Sequence, residues 1–85
     1  MFLHVTIAEY ISDYKIKVTF NNGHSGIVDL KEYLDGEIFE PLKEIERFKN
    51  FRVDPETETI VWDNGADLAP EFLFENCDIG KKSKT

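Results

Sequence analysis

Alternation with a period of two dominates the first third of this chain. Over residues 14–20 the apolar side chains Tyr14, Ile16, Val18 and Phe20 fall on one side of an extended backbone and Lys15, Lys17 and Thr19 on the other, which predicts a half-buried strand. A looser alternation of Leu3, Val5 and Ile7 predicts an earlier strand, with those three residues on one face. Ile27-Val28-Asp29-Leu30 predicts a third. Between the second and third runs, Asn21-Asn22-Gly23 supplies residues that tolerate positive φ, so these two strands form a hairpin. Gly26 marks either a bulge or the close approach of another backbone.

After Leu30 the period changes. Lys31-Glu32-Tyr33-Leu34 fits one helical turn, ended by Asp35-Gly36. Pro41 then suits the first turn of a helix over residues 41–49, because its missing N–H has no partner there anyway. Leu42, Ile45 and Phe48 form its apolar stripe, with Glu44, Glu46, Arg47 and Lys49 off the stripe. Phe51 and Val53, then Ile60 and Trp62, predict a second hairpin around Asp54-Pro55, a pair that fits a type I turn. Asp63-Asn64-Gly65 is a further turn, and Pro70 opens a last short helix through Glu75. That turn should swing Leu68, Phe72 and Leu73 back over Trp62 and bury the indole. The order β-β-β-α-β-β-α predicts an α+β domain over residues 1–77. Its sheet is mainly antiparallel, with about five strands and short helices on one face, and a flexible, polar, Lys-rich tail follows over residues 78–85.

Composition changes this picture only at its margins. Eighty-five residues make one domain, 41% hydrophobic and 32% charged content is ordinary for a globular protein, and no apolar run is long enough to cross a membrane. Charge is more informative. Ten Lys and Arg face seventeen Asp and Glu, and removing Lys81, Lys82 and Lys84 of the tail takes the net from -7 to -10. A body of that sign repels phosphate backbones and favours basic partners. The single Cys77 excludes an intramolecular disulfide and any multi-cysteine metal site. The first residues lack the basic region of a secretory signal, so a cytoplasmic home is expected.

Candidate chemistry is sparse. Asp63-Asn64-Gly65-Ala66-Asp67 gathers oxygen ligands suited to a hard cation, yet its spacing does not match an EF-hand loop and reads more simply as a turn. His4 and His24 lack the spacing of a ligand pair. Cys77 lies near the end of a short helix, where the dipole does not activate a thiol. Glu56 with Glu58 and Glu71 with Glu75 read as solvated faces, the glycines are too scattered for a phosphate loop, and no helix-turn-helix order exists. No catalytic, cofactor or metal residue is assigned.

The run Trp62-Asp63-Asn64-Gly65-Ala66-Asp67-Leu68-Ala69-Pro70-Glu71 resembles the signature of a bacterial family known as domain of unknown function family 2442. Tyr14 to Phe20 with Asn22-Gly23, Gly26 to Leu30, Phe39 with Pro41-Leu42, and Phe48 extend the likeness over roughly residues 3–75. The resemblance implies an α+β domain with no assigned enzymatic activity, in small proteins often encoded beside a second small family in an arrangement like a toxin–antitoxin pair. Some relatives carry a helix-turn-helix after the domain. Here about ten residues follow the last helix, so no direct DNA binding by that route is expected. The expected function is thus a non-enzymatic protein-interaction module, antitoxin-like or accessory, partnered by a small protein from a neighbouring gene. Its interaction or signature residues are Trp62, Asn64, Gly65, Asp67, Pro70 and Glu71, with no cofactor and no membrane partner. Two alternatives stand beside it: a nucleic-acid-linked regulator acting through a partner and the tail lysines, and a small metal-binding protein using the Asp63 to Asp67 loop.

Overall fold

The computed structural model describes residues 2–78, and in it the five strands expected from alternation divide between two sheets. Strands β1 (Val5–Ser12), β2 (Lys15–Phe20) and β3 (Ser25–Asp29) form an antiparallel sheet in that order. Strands β4 (Arg52–Asp54) and β5 (Thr59–Val61) form a separate antiparallel hairpin. Helix α1 (Ile45–Phe48) precedes this hairpin and α2 (Pro70–Asn76) follows it, with 3₁₀ turns at Lys31–Tyr33 and Glu40–Lys43. The class is α+β, with the element order read from the sequence. Residues 79–85, most of the expected Lys-rich tail, lie outside the described residues.

The central strand β2 follows its alternation closely: Ile16, Val18 and Phe20 are buried, and the intervening lysines are exposed. β1 departs from it. Val5 is buried but Ile7 is 53% exposed, so the expectation that Leu3, Val5 and Ile7 share one face is corrected. The cause is a register shift: Val5 lies opposite Phe20 while Ile7 lies opposite Thr19. Because side chains alternate with a period of two, one extra residue in a strand exchanges its faces. Beyond the shift Ala8 and Tyr10 pack on the core and the strand continues to Ser12.

The helix expected over residues 41–49 is likewise broken. Glu44 is extended (φ -78°, ψ 118°) and separates the 3₁₀ turn from α1. In an unbroken α-helix, residues six apart point about 120° away from each other. The break lets Leu42 and Phe48 both reach the interior. Phe48 then packs edge-on to Tyr14 (centroids 5.2 Å) and Tyr10 (6.3 Å), while Phe74 of α2 meets Phe20 (5.2 Å). Both helices therefore cover the same face of the three-stranded sheet. The Tyr14 hydroxyl also donates to the Lys43 carbonyl, tying the 3₁₀ turn to the sheet.

Of the two readings of Gly26, close approach is the one observed. The β2–β3 ladder runs regularly through Val18 opposite Gly26, so there is no bulge. Instead the chain after α2 lies against β3: Cys77 bridges to Val28, and the Ile27 N–H donates to the Asp78 carboxylate (3.0 Å). A Cβ on Gly26 would stand 2.6 Å from Asp78 Oδ1 and 2.9 Å from the Cys77 sulfur. Gly26→Ala should therefore lower stability by about 1 to 3 kcal/mol, the usual cost of overpacking. Urea unfolding checks this; an unchanged midpoint would show that the C-terminal segment does not dock on β3.

Candidate functional site

The residues that carry the family-like signature build a tight corner after β5. Trp62 follows that strand and is only 2% exposed. Its indole N–H donates to the Phe48 carbonyl (2.7 Å), and its rings meet Phe39, Phe48 and Phe51 at centroid distances of 5.9 to 6.4 Å. The backbone then reverses. Gly65 N–H donates to Trp62 O (3.0 Å) and Trp62 N–H to Ala66 O (2.9 Å), which requires the positive φ of +92° at Gly65.

Asn64 serves this corner from both ends of its amide. Its Oδ1 accepts from the Ala66 N–H (3.0 Å), and its Nδ2 donates to the Ile38 carbonyl (2.8 Å), fastening the loop before residue 40 to the turn. Asp67 bridges to Val61 through the backbone, and the Thr59 hydroxyl donates to Leu68 O (2.5 Å). Pro70 occupies the start of α2, Leu73 is buried, and Leu68 and Phe72 are half-buried, but α2 turns toward the three-stranded sheet, with Phe72 against Tyr33 and Phe74 against Phe20, while the rings around Trp62 come from Phe39, Phe48 and Phe51. Glu71 and Glu75 are exposed. The Asp63 carboxylate faces Arg52 (3.3 Å). Among the described residues, no group of three or more His, Cys, Asp and Glu is gathered as metal ligands would be. Cys77 is fully buried, with its thiol donating to Phe74 O (3.1 Å).

Beside this corner lies a cleft of about 210 Å³, lined by Leu42, Arg47, Asn50, Trp62, Asp63 and Asn64. Leu42 and Trp62 give it a mainly apolar floor. Two ion pairs stand at its rim, Arg47 with Glu44 (3.9 Å) and Arg52 with Asp63 (3.3 Å). Small-molecule pockets usually measure about 300 to 1,000 Å³, so this cleft is scaled to a single side chain. Of the six expected residues it brings together Trp62 and Asn64; Gly65, Asp67, Pro70 and Glu71 do not line it. Leu42, Arg47 and Asn50 were missed by sequence reasoning. No spacing signal marks them, because the break at Glu44 is what sets this wall.

A family model described as "Protein of unknown function (DUF2442)" matches residues 5–78. No curated protein and no solved structure matches the chain. Among the described residues no helix is long and apolar enough to cross a membrane.

Trp62→Ala should cost about 3 to 5 kcal/mol by cavity formation, against roughly 4 to 13 kcal/mol expected for the whole domain. Trp62→Phe keeps most of the ring but leaves the buried Phe48 carbonyl without its donor, a loss of about 1 to 3 kcal/mol. Chemical denaturation followed by circular dichroism should rank them parent, Trp62→Phe, Trp62→Ala. A Trp62→Ala variant as stable as the parent would make the indole an interface group instead of a core group.

Proposed function

We propose, since the chain belongs to the DUF2442 family of proteins of unknown function, that it is a non-enzymatic protein-interaction module. Its partner in this reading is a second small protein encoded by a neighbouring gene, in a two-gene bacterial pair in which this chain is the antitoxin-like or accessory member, and the two meet in the cytoplasm. The observation that carries the reading is the cleft over Leu42 and Trp62. It offers an apolar floor, two amides and a charged rim at the size of one side chain, which is how protein interfaces receive an anchor residue.

Two further features support it. Seventeen acidic residues against seven basic ones outside the three tail lysines give the body a field that attracts basic proteins. The signature residues Trp62 and Asn64 act mainly through hydrogen bonds to the backbone, as a rigid support for a surface requires. Co-expression with the product of the neighbouring gene should give a complex that elutes as one species in size-exclusion chromatography. Its affinity should fall as salt rises, because rim charges are screened. Two folded proteins eluting separately would reject the reading.

A further inference from the structure

The three-stranded sheet has one covered side and one open side. Ile16, Val18 and Phe20 point toward the helices, while Lys15 and Lys17 of the same strand point away and are exposed. The strand registers set three rows across the open side: Ile7-Thr19-Ser25, then Glu9-Lys17-Ile27, then Ser12-Lys15-Asp29. Two large apolar side chains stand on it in water, Ile7 at 53% exposure and Ile27 at 38%. An antiparallel sheet can face water on one side, but its outward positions are then usually polar. The charged residues of this side are two cations, Lys15 and Lys17, and two anions, Glu9 and Asp29, and none has an ion pair among the described residues. Setting these four aside leaves eight Lys and Arg against fifteen Asp and Glu, so the whole net charge of -7 lies elsewhere. Two copies of so acidic a chain repel each other across most of their surfaces, and the balanced open side is spared that repulsion.

We infer that a second copy of this chain docks on the open side, face to face, as a weak two-fold dimer. The rows carry the inference because they are self-complementary. With strands about 4.8 Å apart and about 3.4 Å per residue, Ile7 and Ile27 stand about 12 Å apart with Thr19 and Lys17 between them. A two-fold axis in the plane between two copies that sets Ile7 of one over Ile27 of the other also brings each Glu9, in projection, within about 3 Å of the other copy's Lys17. The strands of the two copies then cross at about 70°, close to the orthogonal class of sheet packing. One symmetry operation thus satisfies the apolar pair and the charge pair together, and each occurs twice. Three strands over about six residues present roughly 300 Å² per copy, so the pair buries roughly 600 Å², below the ~1,000 Å² of a stable interface, and the dimer is a reversible one. This surface shares no residue with the lining of the cleft, so the inference stands apart from the interaction-module reading.

Sedimentation equilibrium of the full chain between about 10 µM and about 1 mM tests this, because an interface so small is populated only toward the upper end of that range. The mean mass should rise from that of one chain toward that of two. Ile7→Thr combined with Ile27→Thr keeps β-propensity while removing the apolar pairs, and it should weaken association at least about tenfold. Charge reversal then separates this interface from a general charge effect. Glu9→Lys adds two to the net of -7, giving -5, and Lys17→Glu subtracts two, giving -9. Reduced net repulsion alone would make the Glu9→Lys chain associate more strongly than the parent. The pairing across the two-fold axis sets lysine against lysine and should make it associate more weakly. The Lys17→Glu chain should be monomeric too, and mixing the two variants should restore a dimer, since each lysine then meets a glutamate. Circular dichroism checks that each variant is folded, and the parent's own concentration series decides the matter should one fail to fold. A parent still monomeric at the highest concentration overturns the inference and leaves the open side to some other partner. So do association that the double threonine variant leaves unchanged, a Glu9→Lys chain that associates as strongly as the parent, and masses beyond two chains.

Discussion

The hydrogen bond from the Trp62 indole to the Phe48 carbonyl holds the two halves of this domain in register. Helix α1 is a single turn, and the last carbonyls of any helix lack intrahelical partners. Phe48 is fully buried, so its carbonyl would be left unpaired in an apolar interior without the indole, at a cost comparable to a lost hydrogen bond or more. The same ring that satisfies the carbonyl also packs against Phe48 itself, and Phe48 in turn touches Tyr10 and Tyr14 of the first sheet. One aromatic contact chain thus runs from the three-stranded sheet through α1 to the β4–β5 corner. Two small sheets that share no ladder need a connection of this kind.

A second closure operates at the opposite edge. β3 is an edge strand, and exposed strand edges invite pairing with other chains. Here Cys77 bridges to Val28 and the Asp78 carboxylate accepts from Ile27, so part of that edge is occupied by the chain's own end. The approach is close enough that only glycine fits at residue 26. At the other edge the Val5 N–H donates to Glu58 O (2.9 Å), joining β1 to the turn of the second hairpin, where Glu58 takes a left-handed φ of 58°. Both contacts link residues far apart in sequence. They depend on the whole fold and not on local propensity.

That distinction explains what was legible beforehand. β2 is flanked by a strand on each side and covered on one face, so its alternation maps directly onto burial. Trp62 could be placed in the core from its alternation with Ile60, although the rings it meets there, Phe39, Phe48 and Phe51, all precede it in the chain. The face exchange in β1 had no such marker, since an extra residue in a strand looks like any other residue until its partner strand is known. The helix over residues 41–49 failed for a related reason. The spacing of Leu42, Ile45 and Phe48 satisfies a helical stripe locally, but reaching two separate parts of the core required the break at Glu44, and tertiary packing overrode periodicity. The cleft inherits this: the wall with Trp62 and Asn64 was visible in the signature, and the wall with Leu42, Arg47 and Asn50 exists only because the expected helix is broken.

The signature and the cleft are therefore two consequences of one corner. Asn64 fastens the Ile38 loop, Gly65 permits the reversal, and Trp62 closes the Phe48 carbonyl, so each fixes a part of the cleft's surroundings, Trp62 from the core and the other two from the surface. Residues committed in this way to backbone bonds and core packing have few polar atoms left with which to do chemistry on a substrate. In the proposed interaction reading their contribution to binding a partner is rigidity, since docking on an ordered surface avoids the entropic cost of fixing it. In that reading specificity falls to the exposed groups beside the corner, Asn50, Arg47 and Asp63, which can vary without disturbing the hydrogen bonds that hold it.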